Sequence, residues 1–178
     1  METLFKSQIK GLNEMRLKES TRKYILLGVV LFIIVGLVSA KILAKKQDTQ
    51  FATEDLLYQQ ASQLYSEGNY QEASIYINEL LLEQPKSEAA NYLGGLVAGN
   101  TGEYQQAAIL LQKTLDINPY KVEDAMYMLQ LGEMLFHAEQ YEDAKKVLVR
   151  CQESAWAPEA YPEYQQRVVE LLTQIETM

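Results

Sequence analysis

The stretch from Ser66 to Pro85, SEGNYQEASIYINELLLEQP, returns from Asn100 to Pro119 as NTGEYQQAAILLQKTLDINP. Gly68, Tyr70, Ala73 and Pro85 fall on Gly102, Tyr104, Ala107 and Pro119, each displaced by 34 residues. Four matches at one offset make an internal repeat, and a fixed period of this length marks a solenoid whose units bury their apolar faces by stacking. Extended outward, the units run 54–87 and 88–121. A third, 125–158, enters register after three extra residues, Val122 to Asp124, and keeps Gly132, Tyr141 and Ala144.

Each recurring residue has a physical task in a pair of helices. Ala61, Gly95 and Gly132 lie midway along the first helix of each unit, where anything larger than a methyl would hold the partner helix away. Ala73, Ala107 and Ala144 are their counterparts early in the second helix, which Tyr70, Tyr104 and Tyr141 open. Gly68 and Gly102 suit the positive φ that ends a helix, whereas Glu139 stands at that place in the third unit, so its turn is expected to be strained or reshaped. Pro85 and Pro119 stop the second helix, with Trp156 at the equivalent place in the third unit and Pro158 two residues later.

Inward positions are filled by Leu57, Leu64, Ile77 and Leu80 in the first unit and by Met128, Leu131, Leu135 and Leu148 in the third. The second unit has Asn91, Ala98 and Thr114 where bulkier apolar residues would pack, so it is expected to be the least well filled. Cys151, at an inward register, reads as a small buried residue. A solenoid needs a terminal cap. Residues 162–177, PEYQQRVVELLTQIET, supply it: Tyr164, Val168, Leu171, Leu172 and Ile175 recur at helical spacing, Gln165, Gln166, Glu170 and Gln174 are placed toward water, and Pro162 fits the first turn.

The period, the G-x-Y-x-x-A turn and the closing Pro, over 54–158, make this chain resemble the tetratricopeptide repeat (TPR) family. The resemblance implies an all-α fold, an α-solenoid of three helix pairs and a capping helix over 54–178, whose first helices line a concave groove that grips an extended peptide or a partner helix. Carried onto this sequence, the groove positions are Asp55, Tyr58, Ser62, Tyr65 and Ser66, then Tyr92, Leu96 and Asn100, then Met126, Leu129, Glu133, Phe136 and His137. Tyr, Met and Phe give adaptable contact area, while packing of several Tyr within the superhelix is the plainer alternative. Members that clamp the C-terminal carboxylate of chaperones carry Lys, Arg and Asn along this groove. No Lys or Arg occupies the matching positions here, which argues against that mode and favours partners with apolar or basic segments.

Upstream of the repeats, residues 24–44 read YILLGVVLFIIVGLVSAKILA, with 17 uncharged residues before Lys41. At about 1.5 Å per residue this length spans roughly 31 Å, the thickness of a bilayer's hydrocarbon core. The plan thus resembles TPR proteins of the membrane-anchored type, with one N-terminal transmembrane helix. Val38, Ser39 and Ala40 also form a small-residue site of the kind signal peptidase accepts, but the long polar lead and the length of the apolar run favour an uncleaved anchor. Six Lys and Arg precede the span and three follow it by Lys46. The positive-inside rule then places the N-terminus inside and the repeats outside, and the resemblance of this plan to periplasmic TPR proteins implies a bacterial inner membrane with the repeats in the periplasm. Residues 1–23 are basic, with Phe5, Ile9, Leu12 and Met15 at helical spacing, and read either as an amphipathic helix or docking peptide or as a solvated tail whose charges fix topology. Residues 45–53, KKQDTQFAT, lack apolar periodicity and read as a linker.

Charge and chemistry-bearing residues narrow the function. The chain's net charge of −8 conceals an asymmetry, because 47–178 hold seven Lys and Arg against 21 Asp and Glu. That acidity argues against nucleic acid as a partner. One Cys and one His cannot build an ordinary zinc site. No phosphate-binding loop, nucleophile elbow or HExxH motif occurs. The expectation is therefore no enzyme and no cofactor. The chain reads instead as a membrane-anchored scaffold or assembly factor for envelope or secreted proteins, with a homo-oligomerising structural component as the alternative.

Overall fold

The structure, a computed structural model, describes residues 19–178, so the basic segment expected over 1–23 lies almost wholly outside the described residues. All described secondary structure is helical. It runs α1 (Glu19–Ser66), α2 (Tyr70–Glu83), α3 (Glu88–Thr101), α4 (Tyr104–Ile117), a 3-10 turn (Pro119–Glu123), α5 (Ala125–His137), α6 (Tyr141–Glu153) and α7 (Tyr164–Glu176). The chain divides into two compact units, Met1–Gln50 and Phe51–Met178.

In the first unit the apolar stretch Lys23–Lys41 is helical, and none of it is buried. Its length and composition suit a membrane span and a signal sequence alike. Residues 45–53, expected as a linker, are helical as well. Neither Gly nor Pro occurs between Gly36 and Gly68, and Lys, Gln and Ala are good helix formers, so local propensity suffices where apolar periodicity is missing.

In the second unit the helices pack as successive antiparallel pairs. The three turns within pairs share one design. Asn69, Glu103 and Gln140 donate their backbone N–H to Leu64, Ala98 and Leu135 carbonyls at 2.8, 2.9 and 2.9 Å. That geometry needs a left-handed residue just before the donor, and Gly68 (φ 77°), Gly102 (φ 87°) and Glu139 (φ 61°) supply it. The third turn is thus strained and keeps its shape. Glu139 carries the cost of a Cβ in left-handed backbone, about 1–2 kcal/mol.

Small residues set the helix spacing as the repeat demands. A Cβ on Gly95 would lie 2.8 Å from Leu111 Cδ2, and one on Gly132 would lie 2.7 Å from Leu148 Cδ2. Ala61, Ala73, Ala107 and Ala144 are fully buried. In the second repeat, buried Asn91 donates to the Pro85 and Ser87 carbonyls at 3.1 and 2.7 Å, and buried Thr114 donates to the Leu110 carbonyl at 2.9 Å. These polar residues tie down local backbone where bulkier apolar side chains were the expected pattern.

Gln84 donates to Glu54, and Asn118 donates to Glu88 at 2.9 Å, so the same amide-to-carboxylate link closes the first two repeats. The third has Ala125 and Ala155 at those positions and is closed by the cap instead. Tyr164 on α7 is fully buried and donates its hydroxyl to the Ala125 carbonyl at 2.9 Å. Gln165, expected to face water, turns inward and donates to the Cys151 and Trp156 carbonyls, because the chain leaving α6 presents them with no helical partner. Pro162, expected within the first turn of the cap, precedes it. Glu163 is the N-cap and the helix opens at Tyr164.

Candidate functional site

The candidate site follows the first helix of each pair. On α1, Asp55, Tyr58, Ser62 and Tyr65 are spaced three, four and three apart, so they share one side of the helix. On α3, Tyr92, Leu96 and Asn100 do the same at intervals of four. Asp55, Tyr58, Ser66 and Asn100 are exposed, and Ser62, Tyr65, Tyr92 and Leu96 are half-buried. Asn100 donates to the Leu96 carbonyl at 2.8 Å on its own helix, and charge on Tyr58 or Tyr65 would raise the Tyr92 phenol further.

Burial, first of all, raises the phenols of Tyr65 and Tyr92, and neighbouring acidic groups add to it. Both hydroxyls are therefore neutral throughout the physiological range. They offer rings for contact and O–H groups for hydrogen bonding, the chemistry of a binding surface.

Tyr92 anchors the middle of the face. Its hydroxyl donates to Gln130 Oε1 at 2.8 Å, and its ring lies 5.7 Å from that of Tyr127, which is fully buried and donates to the Leu111 carbonyl. Lys121 sits above both rings, 5.2 Å from Tyr92 and 5.8 Å from Tyr127. Asp124 at 3.1 Å and Glu88 at 3.9 Å hold its ammonium there.

Of the third-repeat positions, Met126 and Glu133 are half-buried and His137 is exposed. His137 stacks on Tyr104 with ring centres 4.7 Å apart. Leu129 and Phe136 do not join the surface: at 2% and 9% exposure they belong to the core cluster that contains Val168, Leu171 and Leu172 of the cap helix. Where a further repeat would leave a groove, α7 seals this end. Its Arg167 pairs with Glu133 at 2.6 Å, and that carboxylate in turn raises the guanidinium's pKa.

Three residues that the repeat pattern did not mark thus shape the site: Gln130, Lys121 and Arg167. Gln130 was detectable by its spacing, because it falls between Met126 and Glu133 in a 126–130–133–137 stripe along one side of α5. Lys121 is the last residue of the second repeat, next to the three extra residues, and Arg167 sits on the cap, outside the repeats. Among the described residues, no group of three or more His, Cys, Asp or Glu is placed to hold a metal ion.

No protein-family model matches the chain, and no curated protein matches it. Solved structures do. The type III secretion translocator chaperone SycD of Yersinia enterocolitica is 19% identical, with a TM-score of 0.56 over 69% of this chain and 83% of its own. The same chaperone in complex with a peptide of the translocator YopD, also 19% identical, gives 0.55 over 69% and 92%. The first TPR domain of human RPAP3 is 14% identical, with a TM-score of 0.56 over 70% and 96%. At these identities the likeness is one of fold: the chain has a TPR-like helical repeat fold, shared with chaperones and protein-interaction domains.

Proposed function

We propose that the chain is a single-pass membrane protein, anchored by 24–44, whose repeat domain over 54–178 is a scaffold or assembly factor. It works on the outer side of a bacterial inner membrane and holds envelope or secreted proteins along its first helices. The observation that carries this reading is the placement of Tyr58, exposed, and Tyr65 and Tyr92, half-buried, along the first helices of a TPR-like fold. The fully exposed apolar helix 23–41 supports the anchor, since exposed apolar surface of that length needs a bilayer around it. The excess of Lys and Arg before the span supports the orientation. The SycD complex, which holds a translocator peptide, supports protein capture by a fold of this kind.

Pull-down with the full chain from detergent-solubilised membranes tests it. Specific partners are expected for the wild type and should be lost in the Tyr58→Ala/Tyr92→Ala double variant. An identical set of captured proteins from both would overturn the reading. Protease accessibility on sealed vesicles tests the orientation, with cleavage of the repeats from the cytoplasmic side as the contrary result.

A second reading, self-association through the repeats, draws on the second helices. Ile75 and Leu82 on α2 are 64% and 83% exposed, and Ile109 occupies the Ile75 position one repeat later at 53%. Sedimentation of the full chain in detergent separates the two readings, because a monomer removes the second.

A further inference from the structure

Tyr104 differs from the other tyrosines that open a second helix. Tyr70 rests against Tyr65 of its own repeat, with ring centres 5.4 Å apart, and Tyr141 meets Phe136 of its own repeat at 5.7 Å. In the second repeat that partner position is Gly99, and Met134 occupies the space a side chain there would need. Tyr104 pairs instead with the next repeat: its ring stacks on His137, 28° from parallel, with 4.7 Å between centres. Beside this stack, between the α3–α4 and α5–α6 turns, lies a recess of about 230 Å³ lined by Gly102, Tyr104, Gln105, His137, Ala138 and Glu139. It is smaller than the ~300–1,000 Å³ of a small-molecule pocket, which suits it to a single side chain.

Glu139 is the lining residue that folding does not account for. Its counterparts Gly68 and Gly102 take the positive φ of the turn freely, whereas Glu139 holds φ 61° with a Cβ. Its carboxylate is exposed and makes no hydrogen bond or ion pair among the described residues, so no polar contact there offsets the strain. Neither Lys nor Arg lines the recess, and the Gln105 amide and the His137 ring nitrogens also lack a hydrogen-bond partner among the described residues. One repeat earlier the arrangement is missing: Tyr70, Asn100 and Gly102 stand where Tyr104, His137 and Glu139 stand, and Asn100 donates to its own helix. A stacked ring pair and an unpaired carboxylate thus come together at the second junction, on a residue whose backbone is strained, and strain of that kind collects where a side chain is needed for function.

We propose that this recess takes an arginine side chain of the bound protein, with its guanidinium forked on the Glu139 carboxylate and its stem laid along the Tyr104–His137 stack. This deepens the protein-binding reading and rests on it. A carboxylate alone would accept any cation, but an aromatic pair beside it favours the planar, weakly hydrated guanidinium over an ammonium. Gln105 offers its amide oxygen to a remaining N–H. The excess of acid over base across 47–178 favours the approach of a basic segment. Glu139 then does what its glycine counterparts cannot, and Glu139→Gly gains stability and loses binding together.

The test titrates N-acetyl-arginine amide into the full, isotope-labelled chain in detergent micelles and follows backbone amide shifts by NMR. Saturable shifts are expected at Gly102, Gln105, Ala138 and Glu139, and the neutral isostere N-acetyl-citrulline amide should bind about fivefold more weakly. Glu139→Gln, which keeps the strained backbone and removes the charge, and Glu139→Gly should each abolish that difference. Glu153→Gln, which removes an exposed charge at the far end of α6, should preserve it. A preference for arginine that survives Glu139→Gln, or shifts spread over acidic residues throughout the domain, would come from general acidity and would overturn the site. Equal binding of the two compounds would overturn it as well. Specific capture in the pull-down by a chain whose recess shows no saturable shift would overturn the arginine site and leave the scaffold standing, whereas an arginine-selective recess on a chain that captures nothing would sustain the site and overturn the scaffold.

Discussion

Between the first and second repeats, Ala90 stands where Tyr127 stands one repeat later and Tyr58 stays open to solvent, whereas between the second and third, Tyr92 meets Tyr127 under the ammonium of Lys121. Further along, Leu129 takes the matching position and, with Phe136, is buried in the core cluster that contains Val168, Leu171 and Leu172 of the cap helix. The same positions therefore serve as surface, as internal clasp and as core, in order along the chain. The distinction lies in what the neighbouring repeat supplies: a methyl, an aromatic ring with a lysine, or an entire helix. Packing is accordingly densest at the far end of the repeat domain, while accessible surface is kept at the first repeat.

The largest effect should come from removing what closes the far end. Tyr164 is fully buried, and its hydroxyl satisfies the Ala125 carbonyl. Tyr164→Ala removes a ring from the core and leaves that carbonyl unpaired, which should cost about 3–5 kcal/mol. Denaturant unfolding of the full chain in detergent, followed by circular dichroism, measures it. A cost below about 1 kcal/mol would mean that the cap is dispensable and that the two ends do not differ as described.

A smaller effect is expected at the middle of the stack. Gly95→Val would place its Cβ 2.8 Å from Leu111, and the neighbour is itself fully buried with little room to yield. Overpacking of this kind should destabilise the domain by about 1–3 kcal/mol. The contrast sharpens with Gly68, where an added Cβ meets nothing and only the positive φ resists substitution. Glu139→Gly acts in the opposite sense. It frees the third turn from its strained residue and should stabilise the fold by about 1 kcal/mol, less the extra chain entropy that glycine brings to the unfolded state. An unchanged unfolding midpoint would show that the turn's geometry is held by other contacts at no cost.

How far these differences were legible in the sequence depends on whether a repeat position alone decided them. Gly95, Gly132 and the Tyr residues that open each second helix were fixed by the period, because a helix pair has only one place for a small residue and one for a large one. The fate of Leu129 and Phe136 was not so fixed, since their exposure depends on α7, which lies outside the repeats. Lys121 escaped for a related reason: a cation tucked over rings needs the backbone detour that three extra residues create, and a periodic comparison discards those residues. Helix through 45–53 was missed because apolar periodicity reports a helix only where one face is buried.

The smallest effect on stability belongs to the open end, and it separates the two ends most directly. Tyr58 contributes little to the core at 36% exposure, makes no ring contact among the described residues, and lies on a helix that Ala readily continues. Tyr58→Ala should therefore change unfolding free energy by no more than about 0.5 kcal/mol. Tyr92→Ala should cost more, because it also deprives Lys121 of a ring and Gln130 of its donor. If the first variant were as destabilising as the second, Tyr58 would be a structural residue with incidental exposure. If it instead weakened partner capture while the unfolding curve stayed in place, the open junction would be a surface maintained for binding, since folding alone gives no reason to keep a tyrosine there.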